Sequence, residues 1–288
     1  MGSSEPEVKL SPGIYLVATP IGNLRDVTLR ALDVLGAADL IACEDTRVTK
    51  RLLERYGIST KMAAYHDHNA PQMRPRLIER AARGEAVALV SDAGTPLISD
   101  PGFKLVRDAQ DAGVAIWPIP GPSSVLAGLI ASGLPSDRFC FSGFLPEKGA
   151  ARQAALSGLR ENGATEIYFE SARRLPKTLA AIAKVCPERE IVIARELTKR
   201  FEEVRRGSAS EQAEHYNEAG PPKGEVVLLV APAPETSAGQ GALDDALAEA
   251  LARLSVKDAA GLVSAILKLP RRDVYARALE LSKQERGS

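Results

Sequence analysis

GIYLVATPIGNL, residues 13–24, decides the fold. An apolar run enters Thr19-Pro20-Ile21-Gly22-Asn23-Leu24, where proline and glycine break a strand. Working outward, the same unit recurs. DLIAC runs into Glu44-Asp45-Thr46-Arg47, KMAAYH follows, AVALVS runs into Asp92-Ala93-Gly94-Thr95-Pro96, and VAIWPI runs into Pro120-Gly121-Pro122-Ser123-Ser124. Helical patterns such as Thr28 to Ala37 lie between them. Strands alternating with helices predict an α/β fold with a largely parallel sheet.

A second set of runs follows Asp137: FCFSGF, TEIYFES, EIVIARE, FEEVRRG and GEVVLLVAP, with a helical stretch near Ser208 to Glu218. After Val230 the tract APAPETSAGQGA has little to bury and reads as a flexible linker. Three short amphipathic patterns end the chain. The expected organisation is an N-terminal α/β domain over 10–134 and a second α/β domain over 135–233 that completes a ligand cleft. A linker over 234–242 and a small helical module over 243–288 follow. At roughly 150 residues per domain, 288 residues suit this division.

With 45% apolar and 26% charged residues the chain is globular, which excludes disordered, collagen-like and coiled-coil classes. Lys plus Arg and Asp plus Glu are 37 each, so a nucleic acid or anionic membrane must be met by a local patch. Cys43, Cys140 and Cys186 form no CxxC pair, which argues for a reducing compartment without structural disulfides. His66 and His68 would share one side of a strand, but no third ligand stands at a metal-like spacing, so no metal is expected. Gly113 to Ser136 is uncharged and long enough to span a membrane, yet Pro118 to Pro122 break any helix there. Residues 1–9 lack a basic start and apolar run. A cytoplasmic protein without a membrane partner is expected.

In a parallel sheet the ligand sits beyond the carboxyl ends of the strands, so the loops there matter most. Those after the first, fourth and fifth strands combine Gly or Pro with small polar residues, letting main chain approach a ligand. Any one of them alone reads first as a tight turn, and it is three at the same sheet edge that point to a ligand. None reads GxGxxG or GxxxxGK[ST], which disfavours NAD, FAD and ATP. In Glu44-Asp45-Thr46-Arg47 the residues suit helix capping, and they also suit a substrate-facing cluster. Glu170 ends a strand with Arg173 and Arg174 behind it, and Arg195, Lys199 and Arg200 follow another; at a cleft rim they would suit phosphate. From Leu251 onward eight basic residues stand against four acidic ones, net +4. With Leu262, Ile266 and Leu269 at helical spacing, that module reads either as a packed cap or as a grip on RNA backbone.

Taken in order, TPIGNL, EDTR, SDAGTP, IPGPSS, FESARR, ARELTK and GEVVLLV resemble the tetrapyrrole-methylase-like (class III) S-adenosylmethionine-dependent methyltransferases, and within them the branch acting on small-subunit ribosomal RNA. The resemblance runs from about Ile14 through the tail KDAAGLVSAILKLPRRDVYARAL. It implies two α/β domains with S-adenosylmethionine folded between them, a homodimer, and 2′-O-methylation of a cytidine ribose in the decoding region. The small-subunit RNA, in the assembled small ribosomal subunit, is the implied partner. Carried over by position, Pro20, then Ala93, Gly94, Thr95 and Ile98, then Ser123 and Ser124, then Glu170 and Leu197 are the implied cofactor contacts. Tetrapyrrole methylases carry GDP where this chain has Gly94-Thr95-Pro96, which favours the RNA branch over a porphyrin substrate. A ribose hydroxyl is a poor nucleophile, and Asn23, Asp45 and Arg47 are the candidates to orient it or take its proton. A small-molecule tetrapyrrole methyltransferase and a non-enzymatic RNA-binding assembly factor are the alternatives.

Overall fold

The computed structural model describes residues 9–267 and 269–286, with side chains for all of these but 235–242 and 283–286. The first half runs β1 (Gly13–Val17), α1 (Leu29–Ala37), β2 (Leu40–Cys43), α2 (Thr46–Arg55), β3 (Met62–Ala64), α3 (Ala70–Ala82), β4 (Ala86–Val90), α4 (Phe103–Asp111), β5 (Ile116–Ile119) and α5 (Ser124–Ser132). Its five strands pair in parallel in the order β3-β2-β4-β1-β5. Successive strand residues point to opposite faces. Tyr15, Val17, Ile41 and Val90 therefore pack with Val34, Leu35 and Leu52 of α1 and α2, and Ile14, Ala42 and Leu89 with Leu77 and Leu105 of α3 and α4. The connections from neighbouring β1 and β4 leave in opposite directions, so the crevice for a ligand opens beyond their ends.

The second half runs β6 (Phe139–Phe144), α6 (Gly149–Gly158), β7 (Thr165–Ser171), α7 (Leu175–Val185), β8 (Glu190–Arg195), β9 (Glu203–Ser208), α8 (Ala209–Ala219) and β10 (Glu225–Val230). The parallel arrangement expected from the alternation of elements does not extend here. In the order β6-β7-β10-β8-β9 only β6 and β7 are parallel. The physical reason is connection length: β8 and β9 are joined by a short loop with no helix, which can link only antiparallel neighbours. One face of this sheet is covered by α6, α7 and α8. The other receives α5 of the first half, where Val125 and Leu129 meet Val192, Val227 and Leu229. A Cβ on Gly128 would lie 3.0 Å from Val227 Cγ1, so glycine lets helix and sheet approach closely.

Three helices follow: α9 (Glu235–Leu251), α10 (Val256–Leu267) and α11 (Arg271–Arg286). The 234–242 tract, expected as a linker, has helical backbone from Glu235 onward. Pro234 presets the helix entry, and Ala238, Gln240 and Ala242 outweigh the two glycines among them. The module has its own core. Leu247, Ala259, Ala260, Val263, Val274 and Ala278 are buried together; of Leu262, Ile266 and Leu269, read from the sequence as the packing stripe, Leu269 packs against this core while Leu262 and Ile266 are exposed. Small residues let the helices approach, so α10 turns its alanines inward. His66 and His68 lie in the turn between β3 and α3 and not on a strand. No helix among the described residues is long and apolar enough to cross a membrane.

Candidate active site

A cavity of about 520 Å³ is lined by residues of both halves of the chain, within the range of roughly 300–1,000 Å³ usual for ligand sites. The first wall is built by the loops after β1, β4 and β5. Thr19 and Gly94 exchange main-chain hydrogen bonds of 2.9 and 3.0 Å, and the Thr95 hydroxyl donates to the Pro122 carbonyl at 3.2 Å. Gly94 sits at φ 83°, where a Cβ would come within 3.3 Å of Ile21 Cγ2. Leu97 and Ser99 are left-handed although neither is glycine, a strain that clusters at functional sites.

The second half supplies the facing wall. Glu196 and Thr198, after β8, are also left-handed. Glu196 accepts from Lys199 Nζ at 2.8 Å and from the Glu225 main-chain N–H at 3.1 Å, while the Asn23 N–H donates to Thr198 Oγ1 at 3.0 Å. The β1 and β8 loops are thus pinned together, with Leu197 directed to the cavity. Glu170 is held by Thr178 Oγ1 at 2.7 Å, the Ser171 N–H at 2.8 Å and Arg174 Nε at 3.1 Å. Its side chain is fully covered, so Glu170 meets the cavity through its main chain.

Of the residues singled out from the sequence, Ala93, Gly94, Thr95, Ile98, Ser123, Ser124, Glu170 and Leu197 line this one cavity. Pro20 is buried outside the lining, next to Ile21, which is part of it. Asn23, Asp45 and Arg47 are not in the lining. The Asn23 side chain accepts from the Arg25 N–H at 3.1 Å, capping a short turn. Asp45 caps α2, and its bidentate pairing with Arg47 brings the Asp45 carboxyl down to about 2. The rim cations are also largely committed: Arg174 to Glu147 and Glu170, Arg195 to Glu203, Lys199 to Glu196 and Glu225. Arg173 remains exposed, and Arg200 lies over the Phe201 ring at 5.6 Å.

Among the lining residues that sequence reasoning passed over are Asp100, Phe144 and Phe169. Asp100 follows directly on the SDAGTP loop, and a carboxylate in such a Gly and Pro-rich run was a usable signal. Burial, aided by the Asp92 charge and opposed by a hydrogen bond from Ser91, pushes its carboxyl up. Burial also raises Glu44, with Asp92 and Asp100 adding to the effect. Phe144 could not be foreseen. The β6–β7 register shifts between Phe141 and Phe144, Gly143 takes φ 62°, and such a bulge re-aims the next side chain. The Phe144 ring meets the edge of Phe169 at 5.8 Å.

Residues 13–213 match the sequence profile of the tetrapyrrole (corrin/porphyrin) methylases, and 237–282 match that of the RsmI C-terminal HTH domain. A ribosomal RNA small subunit methyltransferase I from Mesorhizobium japonicum is 49% identical over 98% of this chain and 96% of its own length. One from Erythrobacter litoralis is 52% identical over 97% and 98%. A Thermus thermophilus uroporphyrin-III C-methyltransferase complexed with S-adenyl homocysteine shares the fold, with a TM-score of 0.54, 19% identity, and 75% and 96% of the two chains covered. The chain belongs to the tetrapyrrole methylase family of S-adenosylmethionine-dependent methyltransferases, in its ribosomal RNA small subunit methyltransferase I branch.

Proposed function

We propose that the chain methylates the ribose 2′-hydroxyl of a cytidine in the decoding region of small-subunit ribosomal RNA, from S-adenosylmethionine and without a metal. We assign it to the cytoplasm, as a homodimer acting on the assembled small subunit. The observation that carries the reading is the convergence of eight implied cofactor contacts, from both halves of the chain, on one cavity of suitable size. Glycine at Gly94 and the left-handed turns beside it open the space a folded nucleoside needs. When bound, S-adenosylmethionine supplies a methyl carbon already activated on a sulfonium. What the chain must add is alignment and exclusion of water. Ile21, Ile98, Leu197 and Phe169 supply the apolar lining for that, and the two pinned loops fix the geometry.

The matched HTH region supports an RNA-backbone role for the helical module. Arg277 is committed to Asp244 and Glu280, both at 2.6 Å, whereas Arg271 and Arg272 at the start of α11 are exposed. Such contacts position a substrate without specifying it. Exposed Leu126 and Ile130 on α5 and Leu29 on α1 offer an apolar face suited to a second copy, which sedimentation of the purified chain would detect.

The test is methylation of small subunits, naked ribosomal RNA and a porphyrin, each from or in an otherwise unmodified background, with mass spectrometry of the nucleosides. One methylated cytidine whose 3′ linkage resists alkali, formed on subunits, is the expected result. Methylation of the porphyrin alone, or RNA binding without cofactor binding, overturns the reading.

A further inference from the structure

Three acidic residues border the cavity, Asp100, Glu225 and, through its main chain, Glu170. Two are engaged by cations, Glu170 by Arg174 and Glu225 by Lys199. Asp100 has no ion pair among the described residues; burial and the Asp92 charge push its carboxyl up, and its own charge does the same to Glu44 at the end of β2. Its neighbour Ser99 abuts the β6 bulge: a Cβ on Gly143 would lie 3.7 Å from Ser99 Oγ. That bulge carries Phe144 into the lining with 54% of the residue still exposed. One side of the cavity therefore combines an open aromatic ring with a carboxylate that no cation neutralises among the described residues. Aromatic faces stack unpaired nucleobases, and carboxylates accept protons from hydroxyls.

We propose that Asp100 is the general base of the methyl transfer, taking the proton of the acceptor hydroxyl from a nucleotide whose base rests on Phe144. The inference rests on the acceptor being a ribose hydroxyl. The O–H bond breaks toward the Asp100 carboxylate, an oxygen lone pair forms the new O–C bond, and the methyl–sulfur bond breaks with its electron pair left on sulfur. The carboxylate and the sulfonium are both neutral afterwards, so charge balances. Asp92 acts as a positioning residue. It accepts the Asp45 N–H at 3.0 Å, and its charge, added to burial, holds the Asp100 carboxyl above the ordinary carboxylate range. A base whose proton affinity lies nearer the working pH is the more effective one.

Two isosteric variants test this. Asp100→Asn should bind S-adenosylmethionine by calorimetry about as tightly as the parent, and kcat on small subunits should fall by roughly 10²- to 10⁴-fold. In the parent, kcat should rise with pH through the Asp100 titration, and Asp100→Asn should lose that limb. Asp92→Asn keeps an acceptor for the Asp45 N–H but removes the like charge. It should move the limb to lower pH, and move the Asp100 carboxyl titration seen by ¹³C NMR of the RNA-free protein the same way. Weakened cofactor binding with unchanged kcat in Asp100→Asn would make this carboxylate a cofactor contact and overturn the proposal. So would a pH profile indifferent to Asp92→Asn. A parent enzyme that methylates no ribose would overturn the acceptor reading itself, and the parent control alone reveals it.

Discussion

The loop after β4 and the loop after β8 both line the cavity and share an unusual backbone, each with two left-handed residues that are not glycine. Their charges are handled in opposite ways. Around the β8 loop Arg195 pairs with Glu203, and Lys199 with both Glu196 and Glu225. In the β4 loop Asp92 and Asp100 stand without an ion pair among the described residues, and burial with mutual repulsion raises Asp100. Left-handed backbone costs on the order of 1–3 kcal/mol per residue and persists only where the surroundings over-determine it. The β8 loop is held by charge pairs and acts as a frame. The β4 loop is held by main-chain hydrogen bonds between Gly94 and Thr19 and by the Thr95 hydroxyl on the Pro122 carbonyl, which leaves the Asp100 carboxylate available for chemistry.

The sharpest way to break this contrast is Gly94→Leu. The side chain would enter the cavity beside Ile21 from a backbone at φ 83°, which costs about 1–2 kcal/mol in strain. S-adenosylmethionine affinity should fall by at least about a hundredfold, roughly 2.7 kcal/mol, while circular dichroism still reports a folded chain. Unchanged affinity in a folded variant would remove the β4 loop from the cofactor site.

Gly224→Ala probes the frame. At φ 91° an added Cβ would collide with the Glu196 carboxyl and disturb its bonds to Lys199 and the Glu225 N–H. Stability should drop by about 1–3 kcal/mol, the usual cost of such strain, and cofactor affinity should change less than stability does. If calorimetry shows affinity falling further than thermal unfolding accounts for, the β8 loop does more than hold the wall.

Much of this contrast was legible beforehand, for a local reason. GIYLVATPIGNL, SDAGTP and PIPGPSS carry their strand endings within a few residues, and β1, β4 and β5 do end there. What depends on distant partners was hidden. The Asp45 cap with Arg47 is local and was one of the two readings the sequence offered, whereas the turn of Arg174 toward Glu147 is decided by a partner 27 residues away. Phe144 reaches the cavity through a register shift, and α10 buries Ala259, Ala260 and Val263 in place of Leu262 and Ile266; periodicity alone reports neither. The antiparallel half of the second sheet escaped notice because strand runs look alike in either direction.

The smallest expected effect concerns the helical module, set against both loops. Ala233 is buried and its N–H donates to the Asn162 carbonyl at 2.7 Å, so the second half remains tied down up to that residue. The module beyond it buries its apolar residues against one another. Truncation after Ala233 should therefore leave cofactor affinity unchanged, since among the described residues none beyond Val227 lines the cavity. Loss of Arg271 and Arg272 removes exposed cations, and each lost phosphate contact should flatten the plot of log affinity for small subunits against log salt by roughly one unit. Arg277 should contribute nothing to that slope, because Asp244 and Glu280 already neutralise it. Arg277→Ala in the full chain is thus expected to loosen the module while keeping the salt slope of the parent. A slope that is the same with and without the module would leave the three helices as a packed cap, and place RNA binding on the two α/β halves alone.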